Sequence, residues 1–118
     1  MRSLSDSVET KPKILKISIL TPSFNSVKYI KRAIEGVLMQ DYTSWEHIIM
    51  DGASADGTLE ILKTYPHLIW VSEPDQGQSD AMNKAFNLAT GDIILYLMVD
   101  DEMEPGTLAR IVDYFTEN

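Results

Sequence analysis

From Lys16 onward, short apolar runs alternate with longer stretches in which apolar residues recur every three or four positions. KISILT (16–21) is rich in β-branched residues and predicts a first strand, stopped by Pro22. Val27, Ile30, Ile34, Val37 and Leu38 then share one face at helical spacing, with Ser26 as the expected N-cap. WEHIIM (45–50) predicts a second strand ending at Asp51-Gly52, and a short helix is expected over 58–65 with Leu59 and Leu62 inward. LIWVS (68–72) predicts a third strand, closed by Pro74 and Gly77. A helix over 79–89, with Ala81, Ala85, Phe86 and Ala89 inward, is expected to end at Gly91 as a left-handed C′ residue. DIILYLMV (92–99) is almost wholly apolar, as a central strand buried on both faces would be. Pro105 suits the first turn of a last helix whose inner face carries Leu108, Ile111, Val112 and Phe115. Residues 1–13 are polar and unpatterned, and a disordered leader is expected there, ahead of one domain over 14–118.

The order is β-α-β-α-β-α-β-α with connections too long for hairpins, which predicts an α/β fold: a parallel sheet with right-handed helical crossovers. The clusters of Asp, Gly and Ser all follow strand ends, at 21–25, 51–58, 73–80 and 100–104. In an open parallel sheet those loops share one rim, where ligands bind.

Composition narrows the classes. With 118 residues and 44% apolar side chains, the chain can bury the core of a single domain. Its 18 acidic and 10 basic residues leave a net charge of −8, which disfavours general binding to nucleic acid or anionic lipid. The absence of cysteine excludes disulfides, thiolate zinc sites and thiol nucleophiles. No apolar run approaches the roughly 18 residues of a membrane span. With no signal-peptide core at the start, the cytoplasm is the expected location.

Asp100-Asp101 ends the most apolar strand, followed by Glu102 and Glu104. Adjacent carboxylates at such a rim repel each other unless a cation or hydrogen-bond donors compensate. Their hard oxygens suit magnesium or manganese shared with substrate phosphates. A helix cap beside a solvated Asp would explain the pair equally well, but residues 73–104 carry eight acids against one base, Lys84. MDGASADGT (50–58) has the makings of a tight turn and a helix start, and it lacks the Gly-Lys-Ser/Thr ending of a P-loop. In SEPDQGQSDAMNKAFNLATGD (72–92), Asp80 and Asn83 share a face near the helix start, and Asp80 is a candidate ligand contact beside Lys84. His47, His67, Trp45 and Trp70 read as structural, and Ser23 and Ser79 lack the surroundings of a hydrolase nucleophile.

ISILTPSFN, MDGASADGT, EPDQGQSDAMNKAFNLATGDI and LMVDD, in that order and spacing, resemble the donor-binding half of family 2 glycosyltransferases with the GT-A fold. The likeness runs from about Lys16 to Phe115. It implies a sheet in the order 3-2-1-4 with helices on both faces, and transfer of a sugar from a nucleotide-diphosphate sugar to an acceptor hydroxyl with inversion. By the same likeness Thr21, Pro22, Ser23, Phe24 and Asn25 border the nucleotide, Asp51 helps hold the nucleoside, and Asp80 borders the sugar-nucleotide pocket. Asp101 would bind Mg2+ or Mn2+ on the diphosphate, and Asp100 would help while touching the donor ribose or sugar. The acceptor would be a glycan or a lipid-linked chain, placing a longer protein at the inner face of a membrane.

Three departures from the family pattern matter. The general base is expected from an acceptor-binding half beyond residue 118, so this chain is expected to bind donor but transfer poorly. An apolar surface left bare by that missing half would drive self-association. Many relatives carry two acids where this chain has Asp51-Gly52, and many carry Asp or Asn where it has Met98. A non-catalytic nucleotide-sugar-binding or interaction module is the alternative reading. A phosphoacceptor receiver domain fits less well, because its acidic pair belongs near the first strand and a lysine should follow the last.

Overall fold

The computed structural model describes residues 13–117. The leader expected over 1–13 therefore lies outside the described residues, except Lys13, whose Nζ pairs with Asp92 at 2.7 Å. Four of the apolar runs become strands of one parallel sheet: β1 (Ile17–Ser23), β2 (Trp45–Asp51), β3 (Ile69–Ser72) and β4 (Ile93–Tyr96). Their order is β3-β2-β1-β4, as expected. The central pair runs in register from Ile17 opposite Trp45 to Ser23 opposite Asp51, so both strands end level at the rim. The crossovers are α1 (Ile30–Leu38), α2 (Thr58–Leu62) and α3 (Gln78–Leu88), and α4 (Thr107–Glu117) follows β4.

The alternation of strand side chains sorts the helices between two faces. Ile17 and Ile19 of β1 meet Val37 of α1 and Leu108 of α4, while Ile49 of β2 meets Ile30 and Ile34 of α1 and Leu62 of α2. On the other face Leu20, Ile48 and Met50 pack on Ala81 and Ala85 of α3. The two alanines let α3 lie close to the sheet. Each fully buried Ile or Leu contributes about 1.5–3 kcal/mol.

Several local expectations are corrected. Ser26 does not cap α1: the helix starts at Ile30, and the Ser26 carbonyl instead accepts from Tyr29 N and Ile30 N in a preceding turn, both at 2.9 Å. Val27 and Leu38 consequently face solvent. The regular part of α2 stops at Leu62 and continues only as turns. Pro105 precedes α4 by two residues, in a turn closed by Thr107 N on Glu104 O. Phe86 and Phe115 are exposed, because α3 presents its alanines inward and α4 buries only Leu108 fully.

Gly91 is not a left-handed cap, since the positive-φ glycines are 57, 77 and 106. Its value lies in close approach: a Cβ there would stand 2.6 Å from Ser18 Oγ and 2.8 Å from Lys16 O. Among the described residues β4 pairs with β1 at one end of the sheet and leaves Tyr96 exposed; its apolar run serves the layers above and below, with Ile93 and Leu97 packing on one face and Ile94 on the other.

Candidate functional site

The loops leaving the strands' C-terminal ends enclose a cleft of about 760 Å³. From the β1 side come residues 22–26 and Tyr29; β2 contributes Gly52; the loop into α3 contributes Asp75, Gly77 and Gln78; the segment after β4 contributes 98–100. Phe24 and Tyr29 are large exposed aromatic rings on this wall.

Asp51 holds the wall in place from below. It is fully buried and does not line the cleft, because its carboxylate is consumed by four donors. Ser23 Oγ and Ser54 Oγ donate to Oδ1 at 2.8 and 2.6 Å, and Ser54 N and Ser72 Oγ donate to Oδ2, both at 2.8 Å. One side chain thus ties the ends of β1, β2 and β3. The loop that follows is a bracket for the first loop. Asn25 N donates to Ser54 Oγ, Ala55 N to Asn25 Oδ1, Ser26 N to Thr58 Oγ1, and Val27 N to Asp56 Oδ2. Asp56 also accepts from Thr58 Oγ1 at 2.5 Å, and that bond leads the causes that lower its pKa. Asn25 and Ala53 both adopt positive φ, at 48° and 63°, a region asparagine visits readily and alanine rarely.

The third loop hangs on Lys84. Its Nζ lies 2.9 Å from Glu73 Oε2 and 3.5 Å from Asp80 Oδ2, and donates to the Pro74 carbonyl at 3.3 Å. The bond to Glu73, more than anything else, raises the Lys84 pKa. Asp80 accepts from Gln76 N at 3.0 Å, which heads the causes of its own lowered pKa. Asp80 is therefore a fastening of the loop and does not itself line the cleft.

Asp100 and Asp101 diverge. Asp100 lines the cleft, while Asp101 borders a smaller hollow of about 360 Å³ beside Leu95–Leu97. Asp101 Oδ2 accepts from Met98 N at 3.1 Å, closing a tight turn. Both side chains are exposed, and among the described residues neither carboxylate has a cationic partner. Arg32 reaches this segment through the Asp100 carbonyl at 3.5 Å and the Glu102 carboxylate at 3.1 Å.

No group of three or more His, Cys, Asp or Glu among the described residues could hold a metal. Two exposed carboxylates without cationic partners are nonetheless a protein share that would suit a magnesium or manganese ion completed by phosphate oxygens. The donor chemistry of the two carboxylates fits such an ion.

Of the residues expected at a site, the structure brings Pro22, Ser23, Phe24, Asn25 and Asp100 into one cleft. Thr21 is buried beneath it on His47, Asp51 and Asp80 act as supports, and Asp101 faces the neighbouring hollow. Asp75 and Tyr29 are cleft residues that the sequence did not single out. Asp75 lies in a run of turn residues, and the Gly52 that makes room for it is its one mark in the sequence.

A family model described as "Glycosyl transferase family 2" matches residues 18–118. The putative teichuronic acid biosynthesis glycosyltransferase TuaG of Bacillus subtilis is 34% identical over 107 residues, 86% of this chain and 42% of its own length. Chondroitin synthase of Escherichia coli is 34% identical over 113 residues, 92% of this chain and 16% of the relative. The chain thus spans less than half the length of these relatives. Among solved structures, S. aureus TarS 1-349 in complex with UDP superposes with a TM-score of 0.76 at 27% identity, covering 87% of this chain and 32% of that one. The mannosyltransferase PcManGT of Pyrobaculum calidifontis, in complex with GDP-Man and Mn2+, gives 0.78 at 28% identity, covering 86% and 32%. The parallel sheet in the order 3-2-1-4, flanked by helices, is the GT-A fold, and the chain belongs to glycosyltransferase family 2.

Proposed function

We propose that residues 14–118 form the nucleotide-sugar-binding part of an inverting, metal-assisted glycosyltransferase acting on a glycan or lipid-linked acceptor. The observation that carries this reading is the cleft itself. It crosses the rim from the loop after β3 to the end of β4, with aromatic rings on one wall and an unpaired carboxylate, Asp100, at the β4 end. The UDP and GDP-Man complexes of the structural relatives support a nucleotide-diphosphate donor, and the Mn2+ in the latter supports a divalent ion.

Asp100 and Asp101 would hold that ion. When bound, it supplies Lewis-acid stabilisation of the charge that grows on the leaving diphosphate. The chain's own residues then position the donor. Phe24 offers a stacking face to the base, the backbone of 22–25 borders the nucleoside, and the Asp51 and Lys84 networks keep both walls from shifting. Orientation of this kind accounts for a large share of transferase rate enhancement. We assign the general base to none of the described residues. Glu102 is paired with Arg32, and both it and Glu104 lie outside the cleft lining. A cytoplasmic location at the inner face of a membrane accords with a lipid-linked acceptor; no helix among the described residues is long and apolar enough to cross one.

Calorimetry with UDP and with GDP, each with and without Mn2+, tests this reading. Binding of at least one nucleotide should depend on metal, and Asp101→Asn should weaken it about 10–100-fold, the worth of one charge-assisted contact. Equal affinity with and without metal would reject the metal-assisted mechanism. No binding of either nucleotide would reject the donor site.

A further inference from the structure

Gly52 and Asp75 occupy what would otherwise be one space. A Cβ added at Gly52 would lie 2.8 Å from Asp75 Oδ2 and 3.2 Å from both Cγ and Oδ1. The backbone of Gly52 is not in the left-handed region, so the glycine is there for the space and not for its conformation. That space is filled by a carboxylate from another loop, projecting into the cleft wall. Its orientation is fixed, because Oδ1 accepts from Gly77 N at 2.9 Å while Oδ2 takes no hydrogen bond from the described residues. Lys84, through Glu73 and the Pro74 carbonyl, anchors the loop that carries it.

The position of this free oxygen in the cleft gives it a role. The four loops lie along the rim in the strand order β3-β2-β1-β4, with Asp100 at the β4 end and Asp75 at the β3 end. A donor whose diphosphate is drawn to Asp100 places its base toward Gly52 and Asp75. Asp51 is unavailable there, since all its capacity is spent on Ser23, Ser54 and Ser72. We propose that Asp75 is the specificity-determining residue of the donor site, accepting the ring N–H of a uracil or guanine through its free carboxylate oxygen.

The chemistry of selection follows from donor and acceptor patterns. Uracil N3 and guanine N1 carry a hydrogen and satisfy a carboxylate oxygen. Cytosine N3 and adenine N1 present a lone pair at that place, so the carboxylate would face a second acceptor and lose its own hydration without compensation. A polar group placed to bind one pattern rejects the other strongly. Asparagine would abolish the choice, because its amide can turn either a carbonyl or an NH2 group toward the base.

This inference rests on the proposed donor site, and a panel of titrations separates the two. The full chain, Asp75→Asn and Gly52→Ala are each titrated in Mn2+ with UDP, GDP, CDP and inorganic pyrophosphate. The unaltered protein should bind UDP or GDP at least about tenfold more tightly than CDP, the worth of one hydrogen bond to a charged group; the tighter of the two names the base. Asp75→Asn should bring that ratio close to one while leaving pyrophosphate affinity unchanged. Gly52→Ala, which keeps the carboxylate but pushes it aside, should lower the ratio in the same direction. An unchanged ratio in Asp75→Asn, or none in the unaltered protein, with pyrophosphate still bound, overturns the role of Asp75 and leaves the donor site standing. Failure of the folded, unaltered protein to bind pyrophosphate or any of the nucleotides overturns both.

Discussion

His47 Nε2 lies 2.8 Å from Thr21 Oγ1, a bond that ties β2 to β1 two residues below Ser23 at the cleft. Both side chains are fully buried, and the other ring nitrogen of His47 has no partner. Burial pushes the His47 pKa down to about 3 from an ordinary 6.5, with the nearby His67 adding to the shift. The unfolded chain therefore binds a proton that the folded chain refuses. Stability contributed by neutral His47 is complete above pH 6.5 and drains away as pH falls toward 3, by at most about 1.4 kcal/mol per pH unit. Urea unfolding between pH 7 and 5 should show this slope. In His47→Gln the slope should shrink to the smaller part left by His67, whose pKa is lowered chiefly by burial.

Asp51→Ala should cost about 3 kcal/mol or more, because it strands the donors of Ser23, Ser54 and Ser72 at and beneath the cleft wall. Nucleotide binding should fall with stability, since the same donors shape the cleft. Asp51→Asn keeps an acceptor for two of them and should lie between. Chemical denaturation read alongside UDP and GDP titrations checks the coupling. Loss of binding without loss of stability would instead mark Asp51 as a direct ligand.

Gly91→Ala places a methyl group 2.8 Å from the backbone atoms Lys16 O and Ser18 N, which cannot move without disturbing β1. It also crowds Ser18 Oγ, which accepts from Gly91 N and donates to Glu46. A destabilisation of about 1–3 kcal/mol is expected, with unaltered metal-dependent binding in the folded fraction. Thermal unfolding measures it.

Phe24 is 66% exposed, so its ring contributes little to the core. Phe24→Ala should leave the unfolding midpoint in place while weakening UDP or GDP binding by about 1–3 kcal/mol, the range for loss of one base-stacking surface. Pyrophosphate affinity should not change, because it has no base to stack.

The layout of strands and rim loops was legible because β-branched runs such as ISIL and HIIM admit few other structures, and because polar turn residues collect where parallel strands end. Helix starts were less legible. Ser26 has the chemistry of a cap, but its hydroxyl accepts from Phe24 N and donates to the Phe24 carbonyl, while its own carbonyl closes the turn to Ile30. Asp51 and Asp75 show the same limit within the site. Each is an acid in a turn; only distance shows that one is consumed beneath the cleft while the other stands open within it.

The Lys84 anchor makes residues 73–88 a self-scaffolded cassette, with the loop, its fastening lysine and the helix that carries it contiguous in the chain. Exchanging that cassette between relatives would transplant one wall of the binding cleft together with its support, which makes it a natural unit for recombination or engineering of donor choice.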